Sequence, residues 1–248
     1  MYTSNAEKDV LVPAMESMKA VLNASSSEST VRRVIVTSSF IAVGDVFNPE
    51  GSDFTYTAEH WSPITYEDAI SGDYMAYCGA KKFSELYAWQ YMQENNPHFD
   101  LVTIVPPMTL GPIAHPIANL SELNFSNLAI ADIASGKDYP LQFSPIWIDV
   151  RDVATAHAEA LVRPEAGNRR LTICAPEKYT HQLAADIMRQ ELEWARDVVR
   201  KGDEGAPLPP SFSLDGATAE KILGLKYRSF RECIRDFTLQ YRELTRNG

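Results

Sequence analysis

Two side chains with complementary chemistry, Tyr77 and Lys81, stand four residues apart, and a Ser38-Ser39 pair precedes them. On a helix this spacing puts the phenol and the ammonium on one face. A nearby ammonium favours the phenolate, so the spacing predicts a lowered pKa for Tyr77. Such a phenol can give a proton to a carbonyl oxygen, while a serine hydroxyl stabilises the charge on that oxygen. Side chains supply no hydride, so this chemistry requires a nicotinamide cofactor.

The elements that must position these residues are a strand and the helix that follows it. The run VRRVIVT at residues 31–37 is short and β-branched, which predicts a buried parallel strand, and the serine pair follows its end. Open parallel sheets bind ligands at that edge. Further strands are predicted at residues 101–105, 146–148 and 170–174, and helices at 5–23, 73–95, 149–161, 180–200, 217–223 and 229–244. This alternation indicates an α/β fold with a parallel sheet.

The composition narrows the function classes. The chain has 248 residues and a formal net charge of −10, which argues against a nucleic-acid or anionic-membrane partner. No apolar run approaches the roughly 18 residues that a membrane helix needs. The three cysteines, Cys78, Cys174 and Cys233, are far apart and predict neither a disulfide framework nor a metal site. We therefore expect a soluble cytoplasmic protein without a metal.

Four segments in order carry a family resemblance: VRRVIVTSSFIAVGD, AYCGAKKFSELYAWQY, TIVPPMTLGP and WIDVRDVATAHAEAL. They resemble the extended short-chain dehydrogenase/reductases, in particular the dihydroflavonol-reductase-like branch with the fungal NADPH-dependent methylglyoxal and aldehyde reductases. The resemblance implies a Rossmann-like doubly wound parallel sheet with a smaller C-terminal substrate-binding region. It places the catalytic half of the dinucleotide-binding domain at residues 1–112 and the substrate-binding region at 113–248, with 146–162 returning to the Rossmann core.

The resemblance also implies roles for individual residues, together with NADPH as cofactor (NAD stays open) and a small-molecule carbonyl as substrate. The implied catalytic residues are Ser39, Tyr77 and Lys81; the cofactor-binding residues are Ser38, Tyr77, Lys81, Pro106 and Pro107; the substrate-facing residues are Phe40, Tyr74 and Met108. Where the family usually has Asn-Pro this chain has Val105-Pro106, which puts one polar contact near the cofactor in doubt.

One family feature is absent, since no glycine precedes Gly44 and the strand–GxxGxxG–helix unit for the cofactor pyrophosphate is missing. We expect an N-terminally truncated fold, from an incomplete gene model or splice form, or else a genuine short protein with altered function. The intact Ser-Tyr-Lys set favours the first. The strand at 31–37 would then expose an apolar edge open to self-association.

The leading hypothesis is an NADPH-dependent reductase of aldehydes or ketones, in secondary metabolism. The alternative from another class is a non-redox protein on the same fold, either a lyase or isomerase that uses Tyr77 as base or a cofactor-free binding protein. The missing phosphate-binding loop motivates this alternative. A sugar-nucleotide epimerase or dehydratase is a third hypothesis within the same superfamily.

Overall fold

The computed structural model describes residues 5–117, 119–142 and 144–246. The α-helices are α1 (Val12–Ser27, preceded by a π-helical turn at Glu7–Leu11), α2 (Tyr66–Ala69), α3 (Asp73–Asn95), α4 (Phe125–Ala134), α5 (Val150–Val162), α6 (His181–Glu191), α7 (Ala195–Val198), α8 (Ala217–Leu223) and α9 (Phe230–Arg246). The strands are β1 (Arg33–Thr37), β2 (Thr55–Tyr56), β3 (Asp100–Val105), β4 (Met108–Leu110), β5 (Trp147–Asp149), β6 (Arg169–Thr172) and β7 (Ser213–Leu214).

The central sheet has three parallel strands in the order β1-β3-β6. Arg33 pairs with Asp100 and Val102 pairs with Arg169. Two parallel pairs, β2 with β7 and β4 with β5, lie beside this sheet. Within the described residues β1 pairs with β3 alone, so its other edge is open. The predicted parallel α/β architecture is confirmed, with the strands divided among three small sheets.

Side chains alternate between the two faces of the central sheet, as the pleat requires. One face packs against α5 and α8, through a core that includes Ile35, Val102, Ile104, Leu171, Ala156 and Leu223. The other face packs against α1 and α3, through a core that includes Val34, Val36, Leu101, Leu22 and Ala88. The sheet is therefore covered by helices on both faces, which explains the apolar runs of β1 and β3.

A larger apolar core lies in the second half of the chain and joins β4 and β5 to α4, α6 and α9. Its fully buried members include Trp147, Ile133, Met188 and Phe237. Next to it, Asp149 caps the start of α5 and its carboxylate pairs with the Arg151 guanidinium at 2.7 Å. The buried Asp149 carboxylate is thus paired where α5 begins.

None of the described helices combines the length and the apolar character needed to cross a bilayer. The three cysteines are all free and buried. Over the described part of the chain, no three His, Cys, Asp or Glu side chains are grouped so that they could hold a metal ion.

Candidate active site

The two serines after β1 point to different partners. The Ser38 amide continues the sheet by donating to the Ile104 carbonyl at 2.8 Å, and the Ser38 hydroxyl is buried and donates to Glu85 at 2.6 Å. Ser39 caps a short 3₁₀ turn over Phe40–Ala42 by accepting a long hydrogen bond from the Ile41 amide. Ser39 is half-buried, so its hydroxyl, unlike that of Ser38, lies within reach of a ligand.

Helix α3 returns beside the end of β1 and presents Tyr77, Lys81 and Glu85 on three successive turns of one face. Close packing of α3 on α2 depends on Gly79. A Cβ atom at that position would stand 2.3 Å from the Cβ of Ala69. The glycine therefore lets the helix approach α2 at the level of the Tyr77–Lys81 pair.

Tyr77 is 45% exposed, and its phenol lies near the Ser39 side chain, which favours the phenolate. Burial raises the pKa of Tyr77, and the nearby Ser39 side chain offsets this increase only in part. The lowering of this pKa by Lys81 that the spacing predicts is therefore not found. The reason is that the apolar surroundings penalise the phenolate more than the neighbouring polar groups stabilise it.

The Lys81 ammonium donates to the Thr37 carbonyl at the end of β1, at a long distance of 3.4 Å. Burial lowers the pKa of Lys81, while the negative charge of Glu85 raises it. Two opposing effects therefore act on Lys81: its apolar environment disfavours the charged form, and the Glu85 carboxylate favours it.

Tyr77 and Lys81 lie on the wall of a cavity of about 490 Å³ beside the open edge of β1. Most of its lining is apolar and comes from α1 with the turn before it, β1 and α3: Val10, Ala14, Met18, Val21, Val34, Ile35, Val36 and Ala80. Ser38 and Glu85 close its polar end. The cavity thus combines an apolar wall with one ammonium and one phenol.

Behind the site, Glu85 forms a buried ion pair with Arg170 of β6 that sequence reasoning missed. The two side chains are 1% and 8% exposed, and Arg170 Nε lies 2.9 Å from the Glu85 carboxylate. The guanidinium also stacks on Trp61, 3.6 Å from the ring centroid, and donates to the carbonyls of Ala58 and His60. The helical spacing of Glu85 from Lys81 was the available signal, but its partner lies 85 residues away in the chain.

The remaining predicted positions divide into those that the structure brings to the site and those that it does not. The Pro106 carbonyl accepts from the Phe40 amide at 2.9 Å, so the Pro106–Pro107 backbone adjoins the serine pair. Phe40 itself is 3% exposed and is enclosed by Tyr56 and Phe212 at 5.3 and 5.5 Å. A role in facing the substrate therefore has no geometric support at Phe40.

Tyr74, in contrast, is 42% exposed and its ring lies 6.3 Å from that of Tyr77. Phe47, which the sequence did not single out, packs edge-on against Tyr74 at 5.1 Å and is also exposed. Met108 begins β4, pairs with Trp147 and packs partly against the larger core. Tyr74 and Phe47 are thus the aromatic residues next to the phenol, and Met108 is held in the neighbouring sheet.

The arrangement has the parts of a carbonyl-reducing site. Tyr77 carries a protonated phenol, Ser39 contacts that phenol, and Lys81 supplies a positive charge one helical turn away. A largely apolar cavity adjoins Tyr77 and Lys81. These features suit proton donation to a carbonyl oxygen as its carbon is reduced.

Comparison with known proteins adds a second line of support, although no family model matches the chain. It is 31% identical over 246 residues to the NADPH-dependent methylglyoxal reductase GRE2 of Saccharomyces cerevisiae, covering 96% of this chain and 72% of that protein. It is 31% identical over 241 residues to the ketoreductase azaE of Aspergillus niger, covering 95% and 70%. The crystal structure of yeast methylglyoxal/isovaleraldehyde reductase Gre2 complexed with NADPH superposes with a TM-score of 0.91 at 29% identity, covering 100% of this chain and 75% of that one.

Proposed function

Because the chain belongs to the extended short-chain dehydrogenase/reductases, in the branch of the fungal NADPH-dependent methylglyoxal reductases and ketoreductases, we propose that it reduces small-molecule aldehydes or ketones with NADPH. The single observation that carries the proposal within the molecule is the contact between Ser39 and Tyr77, with Lys81 one turn further along α3. The non-redox alternative is not favoured, because the similar proteins are reductases over nearly the whole of this chain.

The residues of the cavity fit the nicotinamide and ribose end of NADPH. Its apolar wall suits a flat ring, and Lys81 is a donor for ribose hydroxyls. Ser38 and the Pro106–Pro107 backbone adjoin the same end of the sheet. For the diphosphate end, residues 5–117, 119–142 and 144–246 contain no glycine-rich turn between a strand and a helix. The fit therefore concerns the reactive end of the cofactor alone.

In this mechanism NADPH, when bound, supplies the hydride. Tyr77 gives its phenol proton to the carbonyl oxygen of the substrate, and Ser39 holds that oxygen with its hydroxyl. Lys81 stabilises the phenolate that results, because its positive charge lies one helical turn away. Tyr74 and Phe47 then form the aromatic side of the substrate site. Phe40 is assigned no contact with substrate, since it is enclosed in the core.

The test is NADPH oxidation, followed by absorbance, with a panel of aldehydes and ketones. We expect Tyr77→Phe to lower kcat by about 10²- to 10⁴-fold, because the proton donor is lost. Tyr87→Phe is the matched control: it removes a hydroxyl from the same helix, where the Tyr87 ring packs against Tyr91. Equal rates for wild type and Tyr77→Phe would contradict the mechanism. Calorimetry that detects no NADPH binding would favour the cofactor-free alternative.

Three further expectations belong to the same proposal. We assign the cofactor side to residues 1–112 with 146–162 and the substrate side to the rest of 113–248. The apolar open edge of β1 supports self-association by strand addition. The free, buried cysteines are compatible with a reducing compartment, and thus with a cytoplasmic location. Light scattering over a series of protein concentrations checks the second expectation, and a chain that stays monomeric throughout the series would contradict it.

A further inference from the structure

Glu85 is a buried carboxylate that takes no part in the reaction described above. It lies one turn beyond Lys81 on the same face of α3. Its two oxygens accept hydrogen bonds from the Ser38 hydroxyl at 2.6 Å and from Arg170 Nε at 2.9 Å, with the Trp89 indole at 3.4 Å. Charge-assisted bonds of this kind fix a carboxylate firmly in place.

The surroundings of Lys81 make Glu85 its principal charged neighbour. Among the described side chains that line the cavity, the ionisable ones are Tyr77, Lys81 and Glu85. The lining residues from α1 and β1 are uncharged. From α5, His157 reaches the end of β1 through a 2.7 Å hydrogen bond between its Nε2 and the Thr37 hydroxyl. The Arg170 guanidinium lies on the other side of Glu85.

We propose that Glu85 is a positioning residue of this site: its carboxylate keeps the Lys81 side chain in the charged ammonium form and holds the Ser38 hydroxyl away from the substrate. This inference rests on the reductase function proposed above. Ser39 is then the one serine that meets the carbonyl oxygen. Arg170 balances the charge of Glu85, so that the carboxylate can remain buried while it acts on Lys81. The opposing effects at Lys81, where burial lowers the pKa and the negative charge of Glu85 raises it, agree with this role.

The Glu85–Arg170 pair allows a test that distinguishes an electrostatic role from a purely structural one. Glu85→Gln keeps the shape but leaves Arg170 as an uncompensated cation, so the pH midpoint for deprotonation of Lys81 should fall by about one unit. Arg170→Met leaves Glu85 as an uncompensated anion, so the midpoint should rise. A merely structural pair would shift the midpoint in the same direction in both variants, because either change would loosen the same packing.

The midpoint is measured by competitive acetylation across a pH series, with peptide mass spectrometry to quantify Lys81 and with Lys82 of the same helix as internal reference. Glu85→Asp and Arg170→Lys keep the charges and should stay close to wild type. These two charge-conserving variants test the inference if Glu85→Gln or Arg170→Met fails to fold. An unchanged midpoint in Glu85→Gln, or equal shifts in Glu85→Gln and Glu85→Asp, would overturn the inference.

A second readout separates this inference from the reductase function. Activity that needs a charged Lys81 falls as pH rises through the pKa of Lys81, so the alkaline fall should begin at lower pH in Glu85→Gln. An active wild type whose alkaline fall is unmoved by Glu85→Gln would contradict the role of Glu85 alone. A wild type that oxidises no NADPH with any carbonyl would contradict the proposed function, and the acetylation result would still decide whether Glu85 holds the charge of Lys81.

Discussion

The adjacent hydroxyls of Ser38 and Ser39 differ in what they are free to contact, because the first is already bonded to Glu85. We expect Ser39→Ala to lower kcat by about 10²-fold, since a donor to the developing oxyanion is lost. Ser38→Ala should cause a smaller loss of rate and a loss of stability of about 1 kcal/mol, from one buried hydrogen bond. Steady-state kinetics and thermal melts of both variants check the assignment. The reverse order of rate losses would assign the catalytic role to Ser38.

The charge of Lys81 matters more than its shape if its task is to stabilise the phenolate of Tyr77. We therefore expect Lys81→Arg to keep more activity than Lys81→Ala, which should lose about 10²-fold or more of kcat/KM. The KM for NADPH should also rise in Lys81→Ala, because the proposed contact of Lys81 with the ribose would be lost. Kinetics at saturating and limiting NADPH distinguish the two effects. Equal losses in the two variants would argue against a role for the charge.

At the scale of elements, the contact between α3 and α2 holds the catalytic helix in place through Gly79. Alanine favours helix more than glycine does, yet its Cβ would stand 2.3 Å from that of Ala69. We expect Gly79→Ala to destabilise the protein by about 1 to 3 kcal/mol through overpacking. Gly51→Ala, in an exposed loop with open space around it, should be nearly neutral. Chemical denaturation measures both, and Gly79→Ala combined with Ala69→Gly should recover stability.

Long elements were predictable from sequence because their patterns repeat over several turns or strand residues. The limits predicted for the helix at 73–95 and for that at 217–223 agree with α3 and α8. Strands β2, β4 and β7 were missed, because two or three residues show no period. The strand pairing of the neighbouring sheets depends on tertiary contacts alone.

At the site, the sequence spacing predicted that Ser39 lies near Tyr77, but it did not predict how deeply the side chains of the site are buried. The raised pKa of Tyr77 follows from its apolar surroundings, and the enclosure of Phe40 follows from Phe212, a residue far along the chain. The Glu85–Arg170 pair is of the same kind, since its partners meet only when the sheet has formed. What the sequence does not reveal here is burial produced by distant segments.

At the scale of the whole molecule, stability should depend on pH through the buried imidazole of His181. This side chain is 5% exposed and bonds the Pro140 carbonyl through Nδ1, and burial lowers its pKa. As pH falls below about 6.5, the unfolded chain takes up a proton before the folded one does. The stability that a neutral His181 contributes is therefore complete above that pH and is lost as pH falls towards the lowered pKa.

We expect His181→Asn to flatten this dependence between pH 7 and pH 5, because an amide can keep the bond to Pro140 without titrating. The free energy of unfolding from urea titrations at both pH values measures the effect. His115→Asn, at an exposed position, is the control and should keep the wild-type slope. The same slope in all three proteins would show that His181 does not govern the acid side of the stability curve.

The register of the central sheet determines the order in which its strands can pair while the chain is being synthesised. Residue 33 pairs with residue 100, and residue 102 pairs with residue 169, so each strand pairing closes 67 residues. Closures of this length slow folding, since chain entropy is lost before any contact is gained. As the ribosome extends the chain, β1 cannot pair until β3 has been synthesised. Helix α3, which carries Tyr77, leaves the ribosome between the two strands. The catalytic helix is therefore made before the sheet that orients it, and slower elongation at low temperature should raise the yield of folded protein.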